Sequence, residues 1–331
     1  MNLTAPLPFR ILSSAQALPR RVVSTAEVAA LCGVPAELAG ARSGVQERRW
    51  LSQGETALTL GTQAARAALE AANLDLADLD VLLNASGTQL QPIPDGAALL
   101  ARELGLHGKA AYSLHGTCLS FLLALRHAAL LIAAGQARHV LIVSSEAGSL
   151  GLNFAEAESS LLIGDGAAAV LLGPAEHPEQ GLHAARFETY PDGAGHTRIR
   201  GGGSLLNNRS AHIRDEDYLF EMQGLSVLKL ASRVVPGFLE RLRGGLSAGL
   251  PGIDRVIPHQ ASAAGLALLR RYGWPAEQVE VTLPHLGNVI AASLPLTLHQ
   301  ARMHGQAELG RTLLLVGTGA GLTAGGLIVR M

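Results

Sequence analysis

The sequence predicts an α/β fold built from two halves that repeat one strand–helix plan. Three observations carry that prediction. Extended apolar runs alternate with helix-like segments along the chain, which is the pattern of α/β architecture. The order of those segments in the first half recurs in the second. Finally, 48% of the residues are hydrophobic and only 16% are charged, against about 25% charged in an average globular domain. So little charge implies much buried surface: a large core, a subunit interface, or both.

The elements follow in order. A helix-like segment covers about Glu55 to Ala72, and Asp80 to Asn84 is an extended apolar run. After a loop with Pro92 and Pro94 comes a helix from about Asp95 to Leu104. A short strand near Ala111 to Leu114 leads into the turn His115-Gly116-Thr117-Cys118 and an apolar helix to Ala134. His139 to Ser145 and Gly166 to Leu172 close the half as strands. In the second half, strand Arg255 to Pro258 ends in His259-Gln260, and a helix runs from about Ala263 to Tyr272. Val279 to Leu283 is extended, Gly287-Asn288 is a turn, and the next helix reaches about His304. Thr312 to Val316 and Gly325 to Val329 are the closing pair. This repetition divides the chain at 1–175 and 176–331. It predicts a pseudo-twofold fold with the junctions at Cys118 and Asn288 near one axis. Phe187 to Asp217, Gly-rich and polar, reads as a loop region over the site.

Composition also narrows function. A formal net charge of −1 gives no basic field for nucleic acid. The apolar stretch Leu119 to Ala134 is interrupted by Ser120, Arg126 and His127. It falls short of the roughly 18 residues a membrane span needs. Met1 to Phe9 has no basic start followed by an apolar run. Two cysteines, Cys32 and Cys118, make no disulfide framework. The expectation is a cytoplasmic protein with no membrane and no nucleic-acid partner.

Cys118 follows a strand and a Gly-containing turn and opens a helix, where positive potential favours a thiolate. Cys32 sits among small residues and reads as inert. His259, at the end of an apolar strand, is placed where such sheets present catalytic groups, and a neutral imidazole there can donate or move a proton. His115, three residues before Cys118, is the rival base. Asn288 is either a turn residue or an amide donor aimed at a carbonyl. Gly317-Thr318-Gly319-Ala320-Gly321 resembles part of a dinucleotide fingerprint but opens no helix; a glycine turn with N–H groups facing a site fits better. His299 and His304 match no zinc spacing, so no metal is expected.

Together these segments resemble the ketoacyl-carrier-protein synthase III group of the thiolase superfamily. The resemblance rests on Ser43-Gly44-Val45-Gln46-Glu47-Arg48-Arg49, Gly116-Thr117-Cys118-Leu119-Ser120-Phe121 and Gly164-Asp165-Gly166-Ala167-Ala168. It continues with Pro258-His259-Gln260-Ala261, with Gly287-Asn288 followed by Ala291-Ala292-Ser293-Leu294-Pro295, and with Gly317 to Gly326. They stand in family order across nearly the whole chain. The resemblance implies a thiolase fold layered α-β-α-β-α, a homodimer, and a Cys118–His259–Asn288 triad. It implies an oxyanion hole from the amides of Cys118 and Ala320. Arg42 would lie near the coenzyme A nucleotide, and Lys229, Arg270 and Arg271 around a tunnel mouth. Ile93 would lie on a loop reaching into the partner subunit's acyl pocket.

Several positions depart from the family pattern. Leu31 to Arg42 lacks a tryptophan, Ala263 and Ala264 stand near a usual arginine position, and Leu225 replaces a frequent asparagine. His115 and Thr117 are unusual before the cysteine. No glutamate lies near Ile93, unlike the head-to-head condensing enzymes of the olefin pathway. The expected reaction is acylation of Cys118 by acyl-CoA, then decarboxylative Claisen condensation with malonyl-acyl-carrier protein or malonyl-CoA; no cofactor is implied. The alternatives are acyl transfer to an alcohol or amine, and a non-catalytic partner subunit.

Overall fold

The computed structural model describes residues 5–249 and 252–331. Ten strands build two sheets: β1 (Leu7–Pro8), β2 (Arg10–Ala17), β3 (Val81–Asn84), β4 (Ala110–Ser113), β5 (Val140–Glu146), β6 (Gly166–Gly173), β7 (Gly181–Thr189), β8 (Arg255–Pro258), β9 (Thr312–Gly319) and β10 (Thr323–Arg330). Six helices pack on them: α1 (Ala57–Ala71), α2 (Gly96–Leu104), α3 (Ser120–Ala133), α4 (Gly224–Leu242), α5 (Ala263–Arg270) and α6 (Ser293–Met303).

The first sheet has the order β2-β6-β5-β3-β4, and the second β1-β7-β10-β9-β8. In the first, β3 is parallel to β4 and β5, while β5, β6 and β2 pair antiparallel. The second repeats this: β8 is parallel to β9, and β9, β10 and β7 pair antiparallel. Where β3 has β4 as its outer neighbour, β8 has a single parallel bridge from Val256 to Val279. The extended run expected at Val279 to Leu283 ends there. Leu283 already begins a helical turn, Leu283–Leu286, with Pro284 at its start, a position that suits proline because no N–H is needed.

Side-chain alternation along the strands assigns the layers. Val81, Leu83, Val140 and Ile142 face α3, α6 and the second sheet, together with Leu182, Ile257, Leu313 and Leu327. Leu82, Leu141 and Val143 point the other way, onto Leu60, Ala64 and Ala68 of α1 and Leu100 and Leu104 of α2. On the far side, Leu314, Val316 and Ile328 meet Phe238, Leu239 and Leu242 of α4 and Leu266 and Leu269 of α5. The result is α-β-α-β-α, with α3 and α6 between the sheets. A helix between two sheets needs a wide apolar face, which Phe121, Leu122, Leu125 and Ala128 supply, while Arg126, His127 and Leu130 stay partly exposed.

The sequence reading began at Glu55 and so omitted the strands and helices before it, from Leu7–Pro8 to Glu47–Trp50; three missed elements show why. β2 carries Ser13, Ser14 and Gln16, so it shows no apolar run, although Ser13 Oγ is satisfied by the Ala68 carbonyl. β7 extends to Thr189 and so takes in the start of the segment read as loop; the remainder holds 3-10 turns at Pro191–Gly193 and Asp215–Tyr218 and a short strand, Thr197–Arg198, paired with Glu221–Met222 beyond it. α4 contains Pro236 and Gly237, which interrupt its helical signal.

Candidate active site

Two equivalent junctions build the site from the C-terminal ends of the parallel strands. In the first half, a 3-10 turn, Thr117–Leu119, runs directly into Ser120 of α3. In the second, Ile290–Ala292 runs directly into Ser293 of α6. Each turn opens on a β-branched residue at positive φ, 50° at Thr117 and 46° at Ile290. That conformation is strained for such residues and is typical of functional sites. The match pairs Cys118 with Ala291 and His115 with Asn288. Asn288 thus lies three residues before the counterpart of Cys118, and the two junctions meet at one cavity.

His259 continues β8, its backbone N–H donating to the Val316 carbonyl at 2.8 Å, and it is 6% exposed. A Cβ added at Gly317 would stand 2.6 Å from the His259 Cβ, so only glycine lets the strand pass the imidazole. Burial pushes the His259 imidazole down to about 4, and it is neutral at pH 7. Asn288 is held by its backbone between Leu162 O, 2.8 Å from its N–H, and Gly164 N–H, 3.1 Å from its carbonyl. Gly287 before it has φ 68°, and a Cβ there would meet the Leu162 carbonyl at 2.4 Å. Asn288 Oδ1 accepts the Ile290 N–H at 2.9 Å, and Nδ2 donates to the Ala261 carbonyl at 3.3 Å. The turn role and the donor role coexist, because Nδ2 has a second hydrogen.

Asp165 accepts the N–H groups of Leu51 and Ser149, bracing the turn that carries Gly164. The buried Arg48 donates to Leu161 O at 2.6 Å and to Thr25 Oγ1 at 3.0 Å. These two motifs support the site without entering it. His115 is exposed, and its Nε2 lies 3.1 Å from the Gly87 carbonyl. A carbonyl only accepts, so that nitrogen carries the hydrogen and is not free to act as a base.

Burial pushes the Cys118 thiol up to about 12, the Glu146 carboxylate adds to the rise, and the N–H groups of Ala320 and Cys118 oppose it. The sequence expectation of a thiolate favoured by the helix start is thus corrected for the resting site, where desolvation outweighs the donors. Those same two N–H groups converge on the sulfur. Ala320 reaches it from the turn between β9 and β10, and a Cβ at Gly319 would stand 2.8 Å from Thr117 Oγ1.

Glu146, at the end of β5, is fully buried and was missed from sequence. The signal was there, a carboxylate closing a strand that begins with the apolar run Val140 to Val143. It accepts the N–H groups of Gly87 and Thr88 and the Thr88 hydroxyl at 2.7 Å. Burial raises it to about 7. As pH rises through 7, Glu146 ionises and opposes thiolate formation, so Cys118 reactivity climbs less steeply than tenfold per pH unit. Glu146→Gln removes that charge. In a Cys32→Ser background, iodoacetamide should alkylate Cys118 about tenfold faster at pH 8, one pKa unit, with a slope near one. An unchanged rate and profile would refute the coupling.

Cys118, His259, Asn288 and Ala320 line one cavity of about 1120 Å³. Arg42 lies on its wall, as do Leu38, Ile199 and Leu225 at an exposed apolar rim. Lys229, Arg270 and Arg271 are exposed and lie off this wall. Ile93 also lies off it, 85% exposed on its loop.

The comparisons with known proteins agree with this architecture. Residues 112–191 match the family model 3-oxoacyl-[acyl-carrier-protein] synthase III, and residues 249–331 match that family's C-terminal model. A beta-ketoacyl-[acyl-carrier-protein] synthase III of Rhizorhabdus wittichii is 33% identical over 323 residues, 97% of this chain and 98% of the relative. The 3-oxoacyl-[acyl-carrier-protein] synthase III structure from Aquifex aeolicus superposes with a TM-score of 0.87 at 28% identity, covering 98% of this chain and 100% of that one. The corresponding enzyme of Pseudomonas aeruginosa gives 0.85 at 28% identity and 98% of both chains. With a thiolase-type double sheet, a nucleophile junction of the right form and relatedness along nearly its full length, the chain belongs to the beta-ketoacyl-[acyl-carrier-protein] synthase III family of condensing acyltransferases.

Proposed function

We propose that this enzyme takes an acyl group from acyl-CoA onto Cys118 and condenses it with a malonyl thioester, carried on acyl-carrier protein or on coenzyme A. The observation that carries the reading is the meeting of one thiol, one neutral imidazole, one side-chain amide and a converging N–H pair on a single cavity wall. In the first half-reaction the Cys118 sulfur attacks the thioester carbonyl. The N–H groups of Cys118 and Ala320 hold the oxyanion, and coenzyme A departs with the thiol proton. This splits one hard step into two. In the second, the malonyl thioester loses carbon dioxide while His259 and Asn288 donate to its carbonyl oxygen, where enolate charge develops. The enolate carbon attacks the acyl-cysteine, the tetrahedral intermediate collapses, and Cys118 leaves as the 3-oxoacyl thioester forms. Arg42 meets the nucleotide end of the donor. Intact-mass analysis with a panel of acyl-CoAs, followed by malonyl-carrier protein, tests this. An adduct that resists malonyl thioester but passes to an alcohol or amine would overturn it.

The working unit in this reading is a cytoplasmic homodimer. Exposed Ile93 and the open edge of β4 support it, since an unpaired strand edge invites another strand. The partner subunit then receives the loop Leu90 to Asp95, with Ile93 closing the acyl tunnel. Ile is smaller than the aromatic residue of short-chain members, so medium-chain acyl-CoA should be preferred to acetyl-CoA. Each added CH₂ is worth about 0.8 kcal/mol, or roughly fourfold, while room remains. Ile93→Phe should move the cutoff to shorter chains, because an overfilled pocket is strained. The measurement is kcat/KM across even-numbered acyl-CoAs. Best activity with acetyl-CoA, or an unmoved cutoff, would refute it.

A further inference from the structure

We propose that Ser293 is a positioning residue for the condensation step: its hydroxyl donates to His259 Nδ1 and holds the imidazole as the Nε2–H tautomer. This rests on the proposed function and deepens it. Ser293, the first residue of α6, is 2% exposed. Its Oγ lies 3.0 Å from His259 Nδ1 and 2.8 Å from the Gln260 backbone nitrogen. The Gln260 N–H can only donate, so it fills one lone pair of the hydroxyl. A hydroxyl has a single hydrogen, and among the described residues no other acceptor is within hydrogen-bond reach of Oγ. The hydrogen therefore points at Nδ1, which makes Nδ1 the acceptor and leaves the ring hydrogen on Nε2. Nε2 has no protein partner among the described residues, and His259 lines the cavity.

The arrangement is rigid at both ends. Gln260 Oε1 accepts the N–H groups of Thr282 and Leu283 at 3.0 Å each, and Gln260 Nε2 donates to the carbonyls of Pro258 and Glu280. Its backbone N–H is thereby fixed, and that fixes the rotor of Ser293. The counterpart in the first half, Ser120, accepts the Gly116 N–H at 3.0 Å and has the Thr117 carbonyl at 2.7 Å as the nearer acceptor for its hydrogen. Ser120 thus bonds only to backbone groups, those of its own turn and the Ser86 carbonyl at 3.2 Å. In the second half the same position of the repeat orients a functional side chain. The consequence is chemical. An Nε2–H aimed at the malonyl carbonyl stabilises the enolate oxygen as carbon dioxide leaves. The opposite tautomer would present a lone pair to that oxygen and repel it. Orientation of a histidine by its second nitrogen is a general device.

The test uses full-length enzyme labelled with ¹⁵N-histidine, with His259 assigned by its loss in His259→Gln. The unaltered enzyme is expected to show the Nε2–H pattern. Ser293→Ala should mix the tautomers and lower kcat for carbon dioxide release from malonyl thioester by about tenfold to a hundredfold, with little change in KM and acyl-cysteine formation retained. Ser293→Thr, which keeps the hydroxyl, should restore both the spectrum and the rate. An Nδ1–H pattern in the unaltered enzyme overturns the proposal, and that result needs no variant to fold. Unchanged decarboxylation in Ser293→Ala, or equal loss of both half-reactions, also overturns it. Absence of any acyl adduct in the unaltered enzyme would instead strike the proposed function and leave the tautomer result standing.

Discussion

Cys118→Ala eliminates the mass shift produced by acyl-CoA, and Cys32→Ala leaves it intact. The expected loss in overall turnover is at least about 10⁴-fold, the scale seen when a covalent nucleophile is removed. Both cysteines are free and partly exposed, so accessibility does not separate them. Their surroundings do. Cys118 faces two backbone N–H donors and lines the cavity, whereas Cys32 is raised by burial and by the Glu156 carboxylate and lies off the cavity wall. The resting Cys118 is a thiol, so its attack depends on the N–H pair stabilising charge as a carbonyl arrives. A persistent adduct on the Cys118→Ala protein would sink the assignment. The variant has a second expected property. His259 and Asn288 are untouched by it, so slow release of carbon dioxide from malonyl thioester should continue with no condensation product.

The sequence showed the repeat, and most strand and helix cores followed from it, because elements buried on both faces read as largely apolar runs. β5 and α3 are the clearest cases. Elements whose buried polar residues find partners elsewhere in the fold escaped, as Ser13 of β2 shows with its bond to the Ala68 carbonyl of α1. Within the site, Cys118, His259 and Asn288 were legible because each adjoins a turn that glycine or strained backbone makes conspicuous. Glu146 and Ser293 were not singled out. Their roles arise from partners far along the chain, Gly87 and Thr88 for one and His259 for the other. Sequence spacing gives no distance, and so the register of the repeat, which pairs Cys118 with Ala291, came only with the fold.

Asn288→Ala should acylate normally yet lose about a hundredfold to a thousandfold in decarboxylation, the usual cost of removing one fixed donor from a site of developing charge. The reasoning starts from what each group can reach. In the proposed mechanism the N–H pair at Cys118 and Ala320 serves the first half-reaction, whose oxyanion forms beside the sulfur. His259 and Asn288 are neutral donors, suited to an enolate oxygen. A second variant separates the donor role from the turn role. Asn288→Asp keeps an oxygen for the Ile290 N–H at the positive-φ turn, but it replaces the amide donor with a carboxylate that repels the enolate. It should therefore match or exceed the loss in Asn288→Ala while preserving the fold. His259→Ala should fall in the same range. The double variant should lose less than the product of the two, since both donors serve one oxygen and such effects are not additive. The measurement is carbon dioxide release set beside single-turnover acylation. Equal loss of both half-reactions in either single variant, or full activity in Asn288→Asp, would contradict this division of labour.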